Sequence, residues 1–171
     1  MNNQLSSETI KTLLGLRPLR QEGGFYCQTY RSADSLPQAV LPPRYDGDRL
    51  LATAIYYLLT SDDFSALHRL KSDEIYHFYL GDAVTLLLLR PDGTSEALTL
   101  GQDVKAGHQL QVTVPRGVWQ GAFVQTGGAF ALLGTTMSPG YHPADFELGE
   151  RQTLLRAYPD RDVLIQRLTR V

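Results

Sequence analysis

The sequence predicts a single all-β domain, an antiparallel jelly-roll barrel with a short helix before it and helices after it. Three observations carry that prediction. From residue 25 to about residue 137 the chain is a series of short runs rich in Val, Leu, Tyr, Phe and Thr, cut by Gly, Pro and Asp. Leu110, Val112 and Val114 alternate with Gln109, Gln111 and Thr113, the period-2 signature of a half-buried strand. Helix–strand alternation is missing over this stretch, which disfavours a parallel α/β sheet, and about eight strands at this spacing fit a sandwich or closed jelly roll.

The elements follow in order. Residues 7–15 read as a helix: Ser7 is a cap, Glu8 suits the positive helix end, Ile10, Leu13 and Leu14 share a face, and Gly15 ends it. Gly23-Gly24 permits a sharp turn or a close backbone approach beside Glu22. In the strand that follows, strict alternation puts Tyr26 and Tyr30 on one face and Arg31 on the other. The loop Ala33–Asp48, with three prolines, is expected to be the most mobile element. Gly81-Asp82 reads as a turn. Arg90-Pro91-Asp92-Gly93 predicts a hairpin of Val84–Leu89 with Ser95–Leu100. Gly127-Gly128 predicts another between Trp119–Gln125 and Ala129–Thr135. Helix returns over residues 149–169, as Glu150–Tyr158 and Asp160–Thr169 broken by Pro159. Ala52–Leu59 and Val84–Leu89 are apolar on both faces, so their outer faces need a cover, from the terminal helices and from a second subunit.

Composition bounds the function. The 171 residues allow one well-buried core. Apolar residues make up 43% and charged residues 20%, an ordinary globular balance that excludes a disordered chain. With a net charge of −2 and no basic stripe, no nucleic-acid partner is expected. The polar stretch Met1–Ser7 lacks the features of a signal peptide, and no apolar run approaches the ~20 residues that span a bilayer. Cys27 is the single cysteine, so no internal disulfide forms and a reducing, cytoplasmic home is expected. Cys27 can be read as a nucleophile or as a bland buried thiol, and its strand-like setting favours the second.

The informative stretch runs from His68 through Glu74 to Gly81, and a second runs from Pro115-Arg116-Gly117 to Trp119-Gln120. The first resembles a cupin motif in which a His-X-His pair is followed by a glutamate and a glycine. The second resembles the Pro-X-Gly-X-X-His of the other cupin motif. Two histidine positions are replaced, one by Leu70 and the other by Gln120. The three-imidazole, one-carboxylate metal set that the resemblance implies is thereby depleted. His68, Glu74 and Gln120 are the candidate ligands, with His77 as a substitute, and a divalent metal is expected to bind weakly at most. No other cofactor is expected.

The resemblance runs nearly end to end and narrows to a small cupin family known mainly as proteins of unassigned function. Its residues here include Glu22 to Tyr26, Thr29 to Ser32, Thr53 to Leu59, His68 to Asp82, and Ser138 to Tyr141 leading to Asp145–Leu148. It implies a homodimeric double-stranded β-helix, similar to the sugar-nucleotide epimerases of rhamnose synthesis and to the germins, with no established substrate.

Candidate site residues follow from both lines. His68 reads as a pocket base and Glu74 as its partner, with Tyr76 as an acid if Glu74 points inward. Alternation then turns His77 outward unless a bulge intervenes, so two readings stand for it. Tyr26, Tyr30, Trp119 and Gln120 are candidate substrate-binding residues; barrel filling is the competing reading for the tyrosines. His108 and His142 sit beside turns and are expected at the surface. Asp145 is expected to cap a helix. Three functions remain open: a metal-independent isomerase or epimerase on a carbohydrate-like substrate, a metal-dependent oxygenase or isomerase, and a binding module for a metabolite.

Overall fold

Side-chain alternation sorts the strands into two facing sheets, seen in a computed structural model that describes residues 5–170. The first four residues, where the polar N-terminal stretch begins, lie outside the described residues, as does residue 171. The strands are β1 (Arg17–Pro18), β2 (Phe25–Arg31), β3 (Ser35–Leu36), β4 (Arg49–Leu50), β5 (Thr53–Thr60), β6 (Phe64–Leu70) and β7 (Glu74–Gly81). They continue with β8 (Val84–Leu89), β9 (Ser95–Leu100), β10 (Gln111–Val114), β11 (Trp119–Val124), β12 (Phe130–Met137) and β13 (Phe146–Leu148). One sheet runs β1-β2-β5-β12-β7-β10 and the other β13-β6-β11-β8-β9, while β3 and β4 form a small ribbon.

Alternating residues of both sheets meet between them. Tyr57, Leu59, Tyr76, Phe78, Val112 and Leu133 of the first sheet pack on Leu86, Leu88, Ala122 and Val124 of the second. The terminal helices cover the outer faces, as the two-sided apolar strands require. Helix α1 (Ser7–Leu13) is capped by Ser6 rather than Ser7, and sets Ile10 against Leu58 and Leu132. Leu13, expected on that face, is exposed. Helices α2 (Arg151–Ala157) and α3 (Asp162–Arg167) set Leu154 and Ile165 on Leu67, Leu87 and Leu89.

The hairpin predicted at Arg90–Gly93 forms, with Val84 opposite Leu100 and Leu89 opposite Ser95. The one predicted at Gly127-Gly128 does not. There β11 pairs with β6 and β8, whereas β12 pairs with β5 and β7 in the other sheet. The glycines turn the chain between layers instead of folding one strand on the next.

The loop Ala33–Asp48 is tied down, contrary to the mobility expected of it. Tyr45 is buried and its hydroxyl meets Ser72 Oγ at 2.8 Å. Immediately after the loop, Arg49 forks onto Asp145, with Nε to Oδ2 at 2.7 Å and Nη2 to Oδ1 at 2.5 Å. Asp145 is therefore a buried ion-pair partner and not the helix cap expected; that cap is the side chain of Glu150.

Candidate functional site

His68 lies on β6 and pairs across the ladder with Gln120 of β11, so both point between the sheets. The ladder is shifted opposite Gly121, where two residues of β6 face one of β11. This bulge brings Ser65 to the same inner side as His68 although three positions separate them. Glu74 opens β7 opposite Met137 and Val114 and also points inward. His68, Glu74 and Gln120 are all buried.

A fourth polar side chain joins them. Glu22 sits on the turn between β1 and β2, and its main-chain oxygen accepts from Ala66 N at 2.8 Å. Its carboxylate accepts from Ser65 Oγ at 2.6 Å on one oxygen. The other oxygen stands 3.9 Å from His68 Nε2. Gly23 makes this approach possible: its φ is 112°, and a Cβ would strike the carbonyl oxygen of Phe64 and the guanidinium of Arg170. The sequence marked Glu22 only as a neighbour of the Gly-Gly turn, and nothing in its spacing gave it a partner. Ser65 had no signal, because strict alternation sends it outward.

The histidine is oriented by its other nitrogen. Nδ1 lies 2.8 Å from the main-chain oxygen of Ala66. A carbonyl only accepts, so Nδ1 carries the proton and Nε2 faces Glu22 with its lone pair or a second proton. Phe146 stacks on the imidazole at 5.2 Å between ring centres. Glu74 accepts from Gln120 Nε2 at 2.8 Å, while Gln120 Oε1 has no partner. Burial pushes the Glu74 carboxyl above its ordinary range and Glu22 adds to this, against His68, which pulls it down. Tyr57 and Tyr76, both fully buried, have phenols pushed well above their ordinary value by desolvation, and Tyr76 is raised further by Glu74. They remain neutral in the barrel wall.

These groups adjoin a cavity of about 410 Å³ whose walls include Arg17, Tyr26, Gln28, Glu22, His68, Glu74 and Tyr141. That volume lies within the ~300–1,000 Å³ of small-molecule sites. Burial and Glu22 push the Tyr141 phenol up to about 12. A larger open groove of about 560 Å³ lies outside the barrel around Arg44, Arg69, Lys71 and Arg116. Glu147 pairs with Arg69 there and Asp145 approaches Lys71.

Of the residues singled out from sequence, the fold brings His68, Glu74 and Tyr26 to the cavity and sets Gln120 behind Glu74. Tyr76 points inward as expected but is packed in the core below. His77 does not join them. No bulge separates it from Glu74, so it faces outward and contacts Thr136 Oγ1 at 3.1 Å and Gln111. Tyr30 is also turned out: a register shift between Gln28 and Tyr30 pairs it with Ala54 and leaves it 53% exposed. Trp119 packs on the outer side among Leu87, Leu89 and Leu164, under the Arg69 guanidinium. Cys27 is half-buried, and His142 is exposed and accepts from Ala144 N.

The cavity offers one imidazole and two carboxylates, and the amide of Gln120 turns its N–H to one of the carboxylates. Among the described residues no three His, Cys, Asp or Glu side chains are grouped to hold a metal ion. This set does not fit a metal that favours several imidazoles. No helix among the described residues is long and apolar enough to cross a membrane.

Comparison with known proteins agrees with the fold. Residues 7–149 match a family described as cupin superfamily (DUF985). An uncharacterized protein of Saccharomyces cerevisiae is 30% identical over 137 residues, which make up 74% of this chain and 66% of that protein. The chain thus spans just under two thirds of that relative's length. A crystal structure of a Shewanella oneidensis protein is 34% identical, with a TM-score of 0.84 and coverage of 98% of this chain and 99% of that one. A hypothetical protein from Leishmania major is 28% identical, with a TM-score of 0.87 and coverage of 98% and 100%. A dTDP sugar isomerase from Desulfovibrio desulfuricans, at 14% identity, TM-score 0.51 and coverage of 74% and 82%, shares the fold alone.

Proposed function

The chain belongs to the DUF985 family of the cupin superfamily, and from that premise we propose that its pocket is the site of a metal-independent isomerase or epimerase acting on a small carbohydrate-like substrate. The observation that carries this reading is the orientation of His68. Its Nδ1 is held by the Ala66 carbonyl, which leaves Nε2 as the atom directed toward Glu22, 3.9 Å away. That separation is too long for a hydrogen bond.

The chemistry is proton transfer beside a carbonyl. His68 Nε2 removes a proton from the carbon next to the substrate carbonyl, and the electron pair moves onto the carbonyl oxygen as an enolate. Glu22, held by Ser65, stabilises the imidazolium that forms. Glu74, a carboxyl biased toward its protonated form, is suited to donate to the enolate oxygen. Tyr141 keeps its proton at neutral pH and is suited to give it to carbon from another wall, while the re-forming carbonyl returns the oxygen's proton to Glu74. His68 then loses its proton to solvent and Tyr141 regains one. The tyrosine in this scheme is Tyr141 and not Tyr76, since Tyr76 lies in the core. The reading takes no metal, on the ground of the donor set.

The experiment is a screen in D2O by proton NMR, using hydroxy ketones, ketoses and keto sugars. Wild type is expected to exchange the hydrogen beside the carbonyl, and His68→Ala to lose exchange while still binding the compound. Exchange that survives His68→Ala overturns the reading. Binding without exchange in either protein makes the chain a binding module. Near-stoichiometric iron, manganese, nickel or zinc in purified protein favours a metal-dependent enzyme.

The same reading takes the chain as a homodimer, joined through the outer face of the first sheet. That face exposes Tyr30 and Tyr79. Sedimentation equilibrium tests it: a monomer at micromolar concentration removes the dimer.

A further inference from the structure

We propose that the cavity takes an anionic ligand, one bearing a phosphate or carboxylate group, and that Arg17 binds that group. The inference rests on the cavity being the ligand site, as the reading above holds, but on no reaction there.

Strand β1 is only two residues long, and its register sets Arg17 directly opposite Tyr26. The guanidinium lies over the Tyr26 ring, 4.9 Å from its centre. Both residues belong to the cavity wall, and Arg17 is the only Lys or Arg among the lining residues described. Four other arginines are matched to acids: Arg49 to Asp145, Arg69 to Glu147, Arg90 to Glu96 and Arg170 to Asp63. Among the described residues no carboxylate lies within ion-pair distance of Arg17.

The stacking matters for what Arg17 can do. A ring against one face of a guanidinium restrains its plane and leaves the N–H groups at its edge free. Those N–H groups match the paired oxygens of a phosphate or carboxylate. The rest of the cavity has the opposite preference. Glu22 stands beside His68, and an anionic group next to its carboxylate is repelled. A ligand with one anionic end is therefore oriented, its charge at Arg17 and its neutral polar part at His68. A neutral sugar has no such handle.

The test uses probes and no turnover. Inorganic phosphate, acetate, glucose and glucose 1-phosphate are titrated into wild type, Arg17→Ala and Arg17→Lys at low ionic strength. Binding is followed by calorimetry and by NMR signals of the Arg17 side chain and the Tyr26 ring. Wild type is expected to bind the phosphates and acetate more tightly than glucose, with shifts at Arg17 and Tyr26. Loss of the charge-assisted bonds in Arg17→Ala weakens anion binding at least about tenfold. Arg17→Lys recovers part of it, as a charge without the fork. Arg17 is exposed, so the variants are expected to fold, and unchanged thermal unfolding verifies that. Equal affinity in Arg17→Ala, no anion binding by wild type, or shifts confined to the groove at Arg44 and Arg116 overturns the proposal. This failure is separable from failure of the epimerase reading. Hydrogen exchange on a phosphorylated substrate, undiminished in Arg17→Ala, sinks the anion site and leaves the chemistry. Arg17-dependent phosphate binding with no exchange on any compound does the reverse.

Discussion

The side-chain amide of Gln120 donates to Glu74 Oε2 at 2.8 Å, and both residues are shut away from solvent. A buried carboxylate is thus held by neutral donors, and desolvation raises the Glu74 pKa above its ordinary 4.5. The folded protein holds this proton to higher pH than the unfolded chain does. The contribution of Glu74 to stability is therefore fully present below its unfolded pKa and is lost as pH rises through the raised, folded one.

Glu74→Gln removes that titration while keeping an oxygen for Gln120. The variant is expected to be more stable than wild type near neutrality, with the gain vanishing below about pH 4. Urea unfolding at the two pH values measures it. A gain of equal size at both, or a loss at neutrality, contradicts the assignment of Glu74 as a burdened acid. A site residue that costs stability is expected where chemistry sets the residue type.

The Arg49–Asp145 pair makes a contrasting case, because both partners are buried and doubly bonded. Asp145 raises the Arg49 pKa further, so the guanidinium stays charged across the accessible pH range. Asp145→Ala leaves a buried guanidinium with only Asp46 and the carbonyls of Gly47 and Asp48. It is expected to cost about 3–5 kcal/mol. Removing both charges, as in Arg49→Met with Asp145→Leu, is expected to cost less than the single change. Denaturant melts of the three proteins decide this; a double variant weaker than Asp145→Ala refutes it.

How far the sequence carried these conclusions depends on where regular alternation holds. Along β10 it holds, and Val112 and Val114 fall inward as their spacing predicts. The His68, Glu74 and Gly81 register likewise placed the two central polar groups. It fails at bulges. The shift before Tyr30 turned a predicted pocket tyrosine to solvent, and the shift opposite Gly121 brought Ser65 in. A bulge adds one residue without any change in composition, so a single chain gives no sign of it. Glu22 and the Arg49–Asp145 pair were hidden for another reason. Their partners lie on strands or loops far apart in the chain, and nothing local records a contact closed by tertiary folding.

Gly23 shows how tightly the Glu22 turn is closed. Its φ of 112° is unfavourable for any side chain, and a Cβ there meets the Phe64 carbonyl and Arg170. Arg170 is held in place by Asp63 at 2.8 Å, which in turn accepts from Gly24 N at 2.7 Å. Gly23→Ala is expected to cost more than about 2 kcal/mol, from strain and collision together. Gly127→Ala also has positive φ, but nothing lies within 4 Å of its Cβ. It is expected to cost about 1 kcal/mol. Equal melting temperatures for the two variants remove the special role of the turn.

Ser65 and His77 supply the last comparison: strict alternation sends both outward, and a bulge reverses it for Ser65 alone. Ser65 Oγ donates to Glu22 Oε1 at 2.6 Å, and so fixes which oxygen of Glu22 faces His68. Ser65→Ala leaves Glu22 free to rotate away from the imidazole. Hydrogen exchange on an accepted substrate is expected to fall about tenfold, the equivalent of one hydrogen bond to a charged group. Binding of the same compound should change little. His77, on the outer face with Thr136 and Gln111, is expected to tolerate alanine with no change in exchange. If the exchange rate instead follows His77 and ignores Ser65, the base lies elsewhere, and Glu22 with His68 is only a structural contact.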